Sequence, residues 1–205
     1  IRRQRGLWPK RWKRRKEFDS MKKVSFVIPC YRSENTLENV TTEITDTMKA
    51  LTGYEYEILL VNDFSPDNTL GVIRRLCAAD ERMKGISFTR NFGQHAALMA
   101  GLRHAQGDYV ICLDDDGQTP ADEAGKLIAR LEEGYDAVYA RYEHKHHSAF
   151  RNLGSRINEQ MTRILLDKPA DLFISSYFGV RRVIVKDMIR YENSYPYVIG
   201  LVLRA

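Results

Sequence analysis

Residues 107–120 read GDYVICLDDDGQTP. The segment 108–113 is short, apolar and partly β-branched, which predicts a buried strand. It runs straight into Asp114, Asp115 and Asp116. Three carboxylates stacked at a strand end repel one another unless a cation or hydrogen-bond donors lie beside them. In extended backbone, side chains at i and i+2 share a face. Asp114 and Asp116 can therefore converge, and Gln118 adds a neutral oxygen at the next alternate position. Hard oxygen donors of this kind suit Mg2+ or Mn2+, which keep waters and bind phosphate oxygens. As a bare pattern D-x-D is weak, and a solvated loop in which Asp114 caps the next turn would also explain it. Its place at the end of a buried strand favours the metal-site reading.

Working outward, the same kind of strand is predicted at 23–28, 54–61, 85–88, 136–140 and 172–180. Helical spacing marks 34–51, with Leu37, Val40, Ile44 and Met48 on one face, and also 67–79, 92–105, 149–166 and 183–191. Pro120 suits the first position of a helix running to 133, with Thr119 as its cap. Ser65 or Asp67 suits the cap of the helix at 67–79. Strand and helix alternating four times means βαβ units and a largely parallel sheet, an α/β fold flanked by helices. Ligands in such sheets bind beyond the carboxyl ends of the strands. That rule selects residues 29–34, 62–69, 89–95 and 114–119.

Polar side chains with chemical potential concentrate in those four places. In Pro29-Cys30-Tyr31-Arg32-Ser33-Glu34, Tyr31 is placed where a ring can pack on a nucleobase, while Glu34 equally suits a helix N-terminus. In the stretch 62–69 (NDFSPDNT), Asp67 fits turn and cap chemistry and Asp63 faces the cleft, where a carboxylate accepts hydrogen bonds from a base or ribose. Neither GxGxxG nor GxxxxGK[ST] occurs, so dinucleotide and P-loop modes are disfavoured and a metal would carry much of the phosphate charge. His95 opens a helix, where a lone histidine is more often structural than a base, and Arg90 is placed to pair with the acidic cleft. The tract 141–147 (RYEHKHH) reads as a solvated loop rather than a metal site. It is nevertheless basic, since Arg141, Lys145, Arg151 and Arg156 lie close in sequence and could receive an anionic substrate.

Composition bounds the rest. The 205 residues are 43% hydrophobic and 29% charged, ordinary for a globular protein with one sizeable core. The net charge of +5 misleads if taken whole: residues 1–20 carry nine Lys/Arg and two Asp/Glu, which leaves −2 for the other 185 residues. The basicity thus belongs to a tail over 1–20, expected to be appended or disordered. If that tail acts, it acts on an anionic membrane surface; nucleic acid is not an expected partner. Cys30, Cys77 and Cys112 form no CxxC pair and read as small core residues of a reduced protein. No apolar run reaches the roughly 20 residues of a membrane span, and no secretory apolar segment is present.

Four motifs in order, VSFVIPCYRSENTL, VNDFSPDNT, RNFGQHAALMAGL and GDYVICLDDDGQTP, resemble inverting glycosyltransferase family 2. The resemblance is nearest to the polyprenyl-phosphate glycosyltransferases of the dolichol-phosphate mannose synthase and undecaprenyl-phosphate sugar transferase type, and covers residues 22–205. It implies a GT-A fold for a catalytic domain over 21–205, continuing into C-terminal membrane segments, at the cytoplasmic face of a membrane. It implies that Pro29, Tyr31, Glu34 and Asp63 surround the base and ribose, and that Asp114 lies by the ribose and donor phosphates. Asp116 and Gln118 would hold Mg2+ or Mn2+, with Asp114 and Asp116 as the catalytic carboxylates. The implied donor is a nucleotide sugar, UDP-linked in the first instance. The implied acceptor is a polyprenyl phosphate, with Arg141 and Arg151 on its phosphate. Two other readings stand beside it: a transferase that extends a cell-surface saccharide, and a non-catalytic nucleotide-sugar-binding domain. The chain departs from the family in having Asn62 where many members have Asp, Phe64 where many have Gly, and DDDGQ for the common DADLQ.

Overall fold

The computed structural model of the chain describes residues 21–116, 120–140 and 174–205. Its sheet has six strands in the order β3-β2-β1-β4-β6-β5. The strands are β1 (Lys22–Cys30), β2 (Tyr54–Asn62), β3 (Met83–Ser87), β4 (Tyr109–Cys112), β5 (Ala137–Tyr139) and β6 (Phe178–Arg181). β1 pairs in parallel with β2 and β4, and β2 with β3, whereas β6 runs antiparallel to both β4 and β5. The expected α/β sheet, mostly parallel and flanked by helices, is therefore present.

Alternation along the strands divides the core. Val24, Phe26 and Ile28 of β1 turn toward α1 (Leu37–Ala50), α2 (Thr69–Ala79) and α4 (Ala124–Glu132). Val27 turns the other way, toward α3 (Gln94–His104), α5 (Arg182–Met188) and α6 (Val198–Arg204). Burial on both faces explains why these strands read as continuous apolar runs. α3 comes unusually close to β1: a Cβ on Gly101 would lie 2.3 Å from Val27 Cγ1. Only glycine fits at that crossing, and the helix that carries the RNFGQH motif is thereby seated against the central strand.

Chain order locates the site. From β1 the chain steps outward to β2 and β3, then returns to the opposite side of β1 as β4. The crevice where the direction of winding changes lies beyond the carboxyl ends of β1 and β4, the place such sheets bind ligands. Those ends are Cys30 and Cys112, both fully buried as their sequence positions led us to expect.

Some boundaries differ from expectation for local reasons. α1 begins at Leu37 rather than 34, because the Thr36 and Leu37 N–H groups both donate to the Ser33 carbonyl in a turn. Pro120 is extended (ψ 100°) and precedes a 3-10 turn at Ala121–Glu123, so it stands before the helix and not at its first position. Thr119, Gln118 and the segment 149–166 lie outside the described residues. The strand expected at 172–180 is shorter, Phe178–Arg181. α6, a seven-residue, largely apolar helix of about two turns, was not foreseen in so short a run after Pro196. No described helix is long and apolar enough to cross a membrane.

Candidate active site

Two strand-end loops form the floor. The loop after β1 is tied to the loop after β2 by a ladder of bonds: Asp63 N–H to the Cys30 carbonyl (3.0 Å), Arg32 N–H to Ser65 Oγ (2.7 Å) and Ser33 N–H to Thr69 Oγ1 (2.9 Å). Arg32 and Phe64 sit at positive φ, 60° and 52°. Phe64 therefore occupies the backbone region that glycine adopts without strain. Asp67 accepts from Ser65 Oγ, Thr69 Oγ1 and the Thr69 N–H. Although burial pushes its carboxyl up, these donors bring it down to about 2. Glu34 belongs to the same ladder: it accepts the Asn68 N–H at 2.8 Å. The departure at Asn62 is structural as well, since its side chain bridges Ser87 Oγ and the Ser65 N–H beneath the loop.

Asp63, 3% exposed, turns its two carboxylate oxygens to the backbone N–H groups of Phe92 (2.7 Å) and Gly93 (2.8 Å). Its carbonyl accepts the Asn91 side-chain amide. This latch fixes the turn before α3, where Gly93 adopts φ 88°. The turn in turn fixes Gln94, whose Nε2 donates to Asp114 Oδ1 at 2.6 Å.

All three aspartates line one cavity, and Asp114 lies close enough to Asp116 to feel its charge. Asp114 is held between Gln94 and the Ser176 hydroxyl. Asp115 turns back to β1 and accepts the Tyr31 N–H (3.1 Å) and the Ser33 hydroxyl. Asp116 lines the same cavity. β4 ends at Cys112 and the chain bends at Asp115 and Asp116, so Asp114 and Asp116 reach one space from a bend rather than from a continued strand.

The result is a cavity of about 400 Å³ lined by Pro29, Tyr31, Asp63, Asn91, Gln94 and Asp114 to Asp116, among others. Of the residues expected around the base and ribose, Pro29, Tyr31 and Asp63 meet there, while Glu34 is engaged at the start of α2. The Tyr31 ring is 45% exposed, with the Arg32 guanidinium 5.6 Å from its centroid, so a flat ligand can reach it. Gln118, Arg141 and Arg151 lie outside the described residues. Arg90 does not pair with the acidic cleft: it stacks 4.5 Å over the Phe92 ring. His95 packs edge-on against Tyr197, and burial lowers its pKa. It is not among the residues lining the acidic cavity.

Sequence reasoning gave no role to Asp115, Ser33, Gln94 or Ser176. Gln94 carried a usable signal, a side-chain donor directly after a glycine at a helix start and strand end. Ser176 carried none, because it reaches Asp114 from 62 residues away.

Electrostatics fit a cation. Burial raises the Asp114 carboxyl, as does Asp116 beside it, against the lowering effect of Ser176 and Gln94. Burial also raises Asp115, with Ser33 and the Tyr31 N–H acting against it. Carboxylates in this state gain from a positive charge. Among the described residues no group of three or more His, Cys, Asp or Glu is arranged to hold a metal alone. One or two carboxylates completed by ligand phosphates and water is, however, the ordinary way Mg2+ is held. Asp116, with the remaining lone pairs of Asp114, could supply that share.

Comparison with known proteins agrees with this architecture. The model of the family described as Glycosyl transferase family 2 matches residues 25–189. Among solved structures the chain is similar to the mannosyltransferase PcManGT from Pyrobaculum calidifontis in complex with GDP-Man and Mn2+, with 20% identity over 82% of this chain and 46% of that one and a TM-score of 0.57. It is also similar to glucosyl-3-phosphoglycerate synthase from Mycobacterium tuberculosis in complex with UDP (19% identity, 82% and 59% covered, TM-score 0.62). A third likeness is to residues 1–349 of TarS from S. aureus (20%, 80% and 48%, TM-score 0.53). The chain spans about half the length of the solved chains it matches.

Proposed function

The chain belongs to glycosyl transferase family 2, and from that premise we propose that it moves a sugar, with inversion, from a nucleotide-diphosphate sugar to a polyprenyl phosphate. Its fold is the GT-A fold of such enzymes. The observation that carries the donor half is the cavity at the β1/β4 crevice, where Tyr31, Asp63 and three aspartates surround one space. Tyr31 offers a ring face to the base. Asp63 retains lone pairs for a ribose or base donor after binding Phe92 and Gly93, because a carboxylate has about four acceptor sites. Asp114, fixed on both oxygens, presents a rigid edge to the ribose and phosphates. A UDP-sugar is the first donor to try.

Mg2+ or Mn2+, held by Asp116 and Gln118, would stabilise the negative charge that develops on the leaving nucleoside diphosphate. Gln94 and Ser176 hold Asp114 in place while that charge develops. The acceptor half rests on chemistry. A phosphate monoester is anionic near neutral pH and attacks the anomeric carbon without a strong base. Of the carboxylates lining the cavity, Asp63, Asp114 and Asp115 each already accept two hydrogen bonds, and His95 stands outside it. The basic segment with Arg141 and Arg151 would receive the acceptor phosphate, at the cytoplasmic face of a membrane reached through segments beyond this domain.

The test is a donor-binding and hydrolysis screen over UDP- and GDP-sugars with Mn2+, followed by short-chain prenyl phosphate and a free saccharide offered side by side. Transfer to the prenyl phosphate is expected. Transfer to the saccharide alone would establish the saccharide-extending reading instead, and donor binding without any transfer would establish a non-catalytic domain.

A further inference from the structure

A second and larger cavity, about 770 Å³, lies on the far side of the Asn91–Gly93 turn from the acidic one. α3 builds one wall. Ala96, Met99, Ala100 and Arg103 follow at i, i+3, i+4 and i+7 and so share one helix face. The two alanines leave a groove, and Arg103 stands at its end. Phe88, Arg90 and Phe92 form the second wall, with the Phe88 and Phe92 rings edge to face at 5.4 Å. The connector from Tyr191 to Pro196 forms the third.

Three features mark this as more than a surface dent. Its volume is within the range that encloses a small ligand. Its charged groups are Arg90, Arg103 and Glu192, a net of one positive charge. Arg90 is laid flat over Phe92, and Arg103 spends one N–H on the Tyr191 carbonyl at 3.0 Å, so both guanidinium groups are oriented. Among the described residues neither has a carboxylate partner, and a guanidinium carries five N–H donors suited to a phosphate. Finally, Tyr195 is 92% exposed at φ 63°. A bulky residue in that backbone region is costly, and such strain tends to collect at ligand sites. Here it holds an aromatic ring out at the cavity rim.

We propose that this cavity binds a phosphate carried on an apolar tail, with Arg90 and Arg103 on the phosphate and Phe88, Phe92, Met99 and Tyr195 along the tail. Asn91 and Gly93 line both cavities, so the occupant lies beside the donor and does not displace it. The same chemistry belongs to an acceptor held here before its phosphate passes to the segment with Arg141 and Arg151, which rests on the reading above, and to a bilayer phospholipid, which does not.

The experiment measures binding of geranyl phosphate, geraniol and inorganic phosphate by calorimetry, and of phosphatidylglycerol and phosphatidylcholine vesicles by flotation. It compares the wild type with Arg90→Gln/Arg103→Gln and with Tyr195→Ala, with UDP binding as a separate control. Geranyl phosphate should bind at least about tenfold more tightly than geraniol or inorganic phosphate, and the double variant should lose about tenfold or more while UDP binding stays within twofold. A loss confined to vesicles identifies the bilayer as the source; a loss confined to geranyl phosphate identifies the acceptor. The proposal is overturned if the double variant loses binding to neither geranyl phosphate nor phosphatidylglycerol vesicles, or if geranyl phosphate binds no better than geraniol while vesicle binding is also unchanged. Should the double variant melt early, Arg90→Gln alone decides, since Arg90 makes no bond to the connector. Failure of the donor reading would show separately, as absent UDP-sugar binding in the wild type.

Discussion

Gln94, the first residue of α3, donates its side-chain amide to Asp114 at 2.6 Å, while Ser176, just before β6, donates to the other oxygen of the same carboxylate. Two elements on either side of β4 thereby fix a group that β4 itself releases into a bend. Asp114 is held by its neighbours more than by its own strand.

The first prediction concerns that clamp. Gln94→Ala and Ser176→Ala should each lower kcat/KM by roughly ten- to a hundredfold, since a hydrogen bond to a charged group is worth about 1.5–3 kcal/mol. The melting temperature should change little, because Gln94 is exposed and Ser176 only half-buried. Steady-state kinetics beside thermal melts check this. Unchanged turnover in both variants would show that Asp114 needs no clamp.

The second prediction links pH to cation binding. Burial raises the Asp114 and Asp115 carboxyls. A carboxyl whose folded pKa is raised favours the fold as pH falls through that pKa, and opposes it above. A cation takes over this role at higher pH, so protons and metal compete. Mn2+ at about one hundred times its Kd should stabilise the fold by about 2.7 kcal/mol at pH 7.5, and by less at pH 5, with the melting temperature rising accordingly. Asp116→Ala should remove the effect while the fold persists. An equal shift at both pH values, or none in the wild type, would rule out this site.

A third prediction lies at the opposite end of the sheet. Glu57, 1% exposed, accepts from Ser25 Oγ, the Gln106 N–H and Lys84 Nζ, each at 2.7 Å, with Lys23 Nζ at 3.1 Å. Burial pushes its carboxyl up, but the two lysines and the two other donors bring it to about 2, from 4.5. The folded pKa is depressed, so its contribution is present above pH 4.5 and fades as pH falls toward 2. The size is on the order of 3 kcal/mol. Urea melts of wild type and Glu57→Gln should differ at pH 6 and converge near pH 2; a gap that persists at pH 2 would refute the assignment.

How far the sequence carried the reading depends on whether a feature is local. The strands at 23–28, 54–61 and 108–113 were legible because burial on both faces leaves consecutive apolar residues toward their carboxyl ends. The location of the site followed from one rule about strand ends. Tyr31 and Asp63 line the cavity, and their place was legible because they lie in sequence beside those ends. What could not be read was geometry set by other segments: Asp115 turns back to Tyr31 and Ser33, more than 80 residues away, and Glu34 accepts the Asn68 N–H, 34 residues away. Ser176 and α6 could not be read at all, because nothing within a few residues of either announces the contact it makes.

Asp63 provides the last prediction, because two roles compete for it. The sequence marks it as a ligand residue for base or ribose. The structure gives both of its oxygens to the Phe92 and Gly93 N–H groups, at 2.7 and 2.8 Å, in a site only 3% exposed. Asn has the same shape but only one acceptor oxygen, so in Asp63→Asn one of the two N–H groups must face an NH2 donor instead. A buried donor without an acceptor costs about 1–3 kcal/mol. If the latch is what Asp63 does, this variant melts several degrees lower, and donor affinity falls with it because Gln94 and Asn91 lose their register. If Asp63 acts only on the ligand, donor affinity falls while the melting temperature in the absence of donor stays at the wild-type value. Thermal melts without nucleotide, set beside UDP titrations, separate the two. We expect both to change, with hydrogen exchange at the Phe92 and Gly93 amides accelerating first, since those are the groups the substitution leaves unpaired.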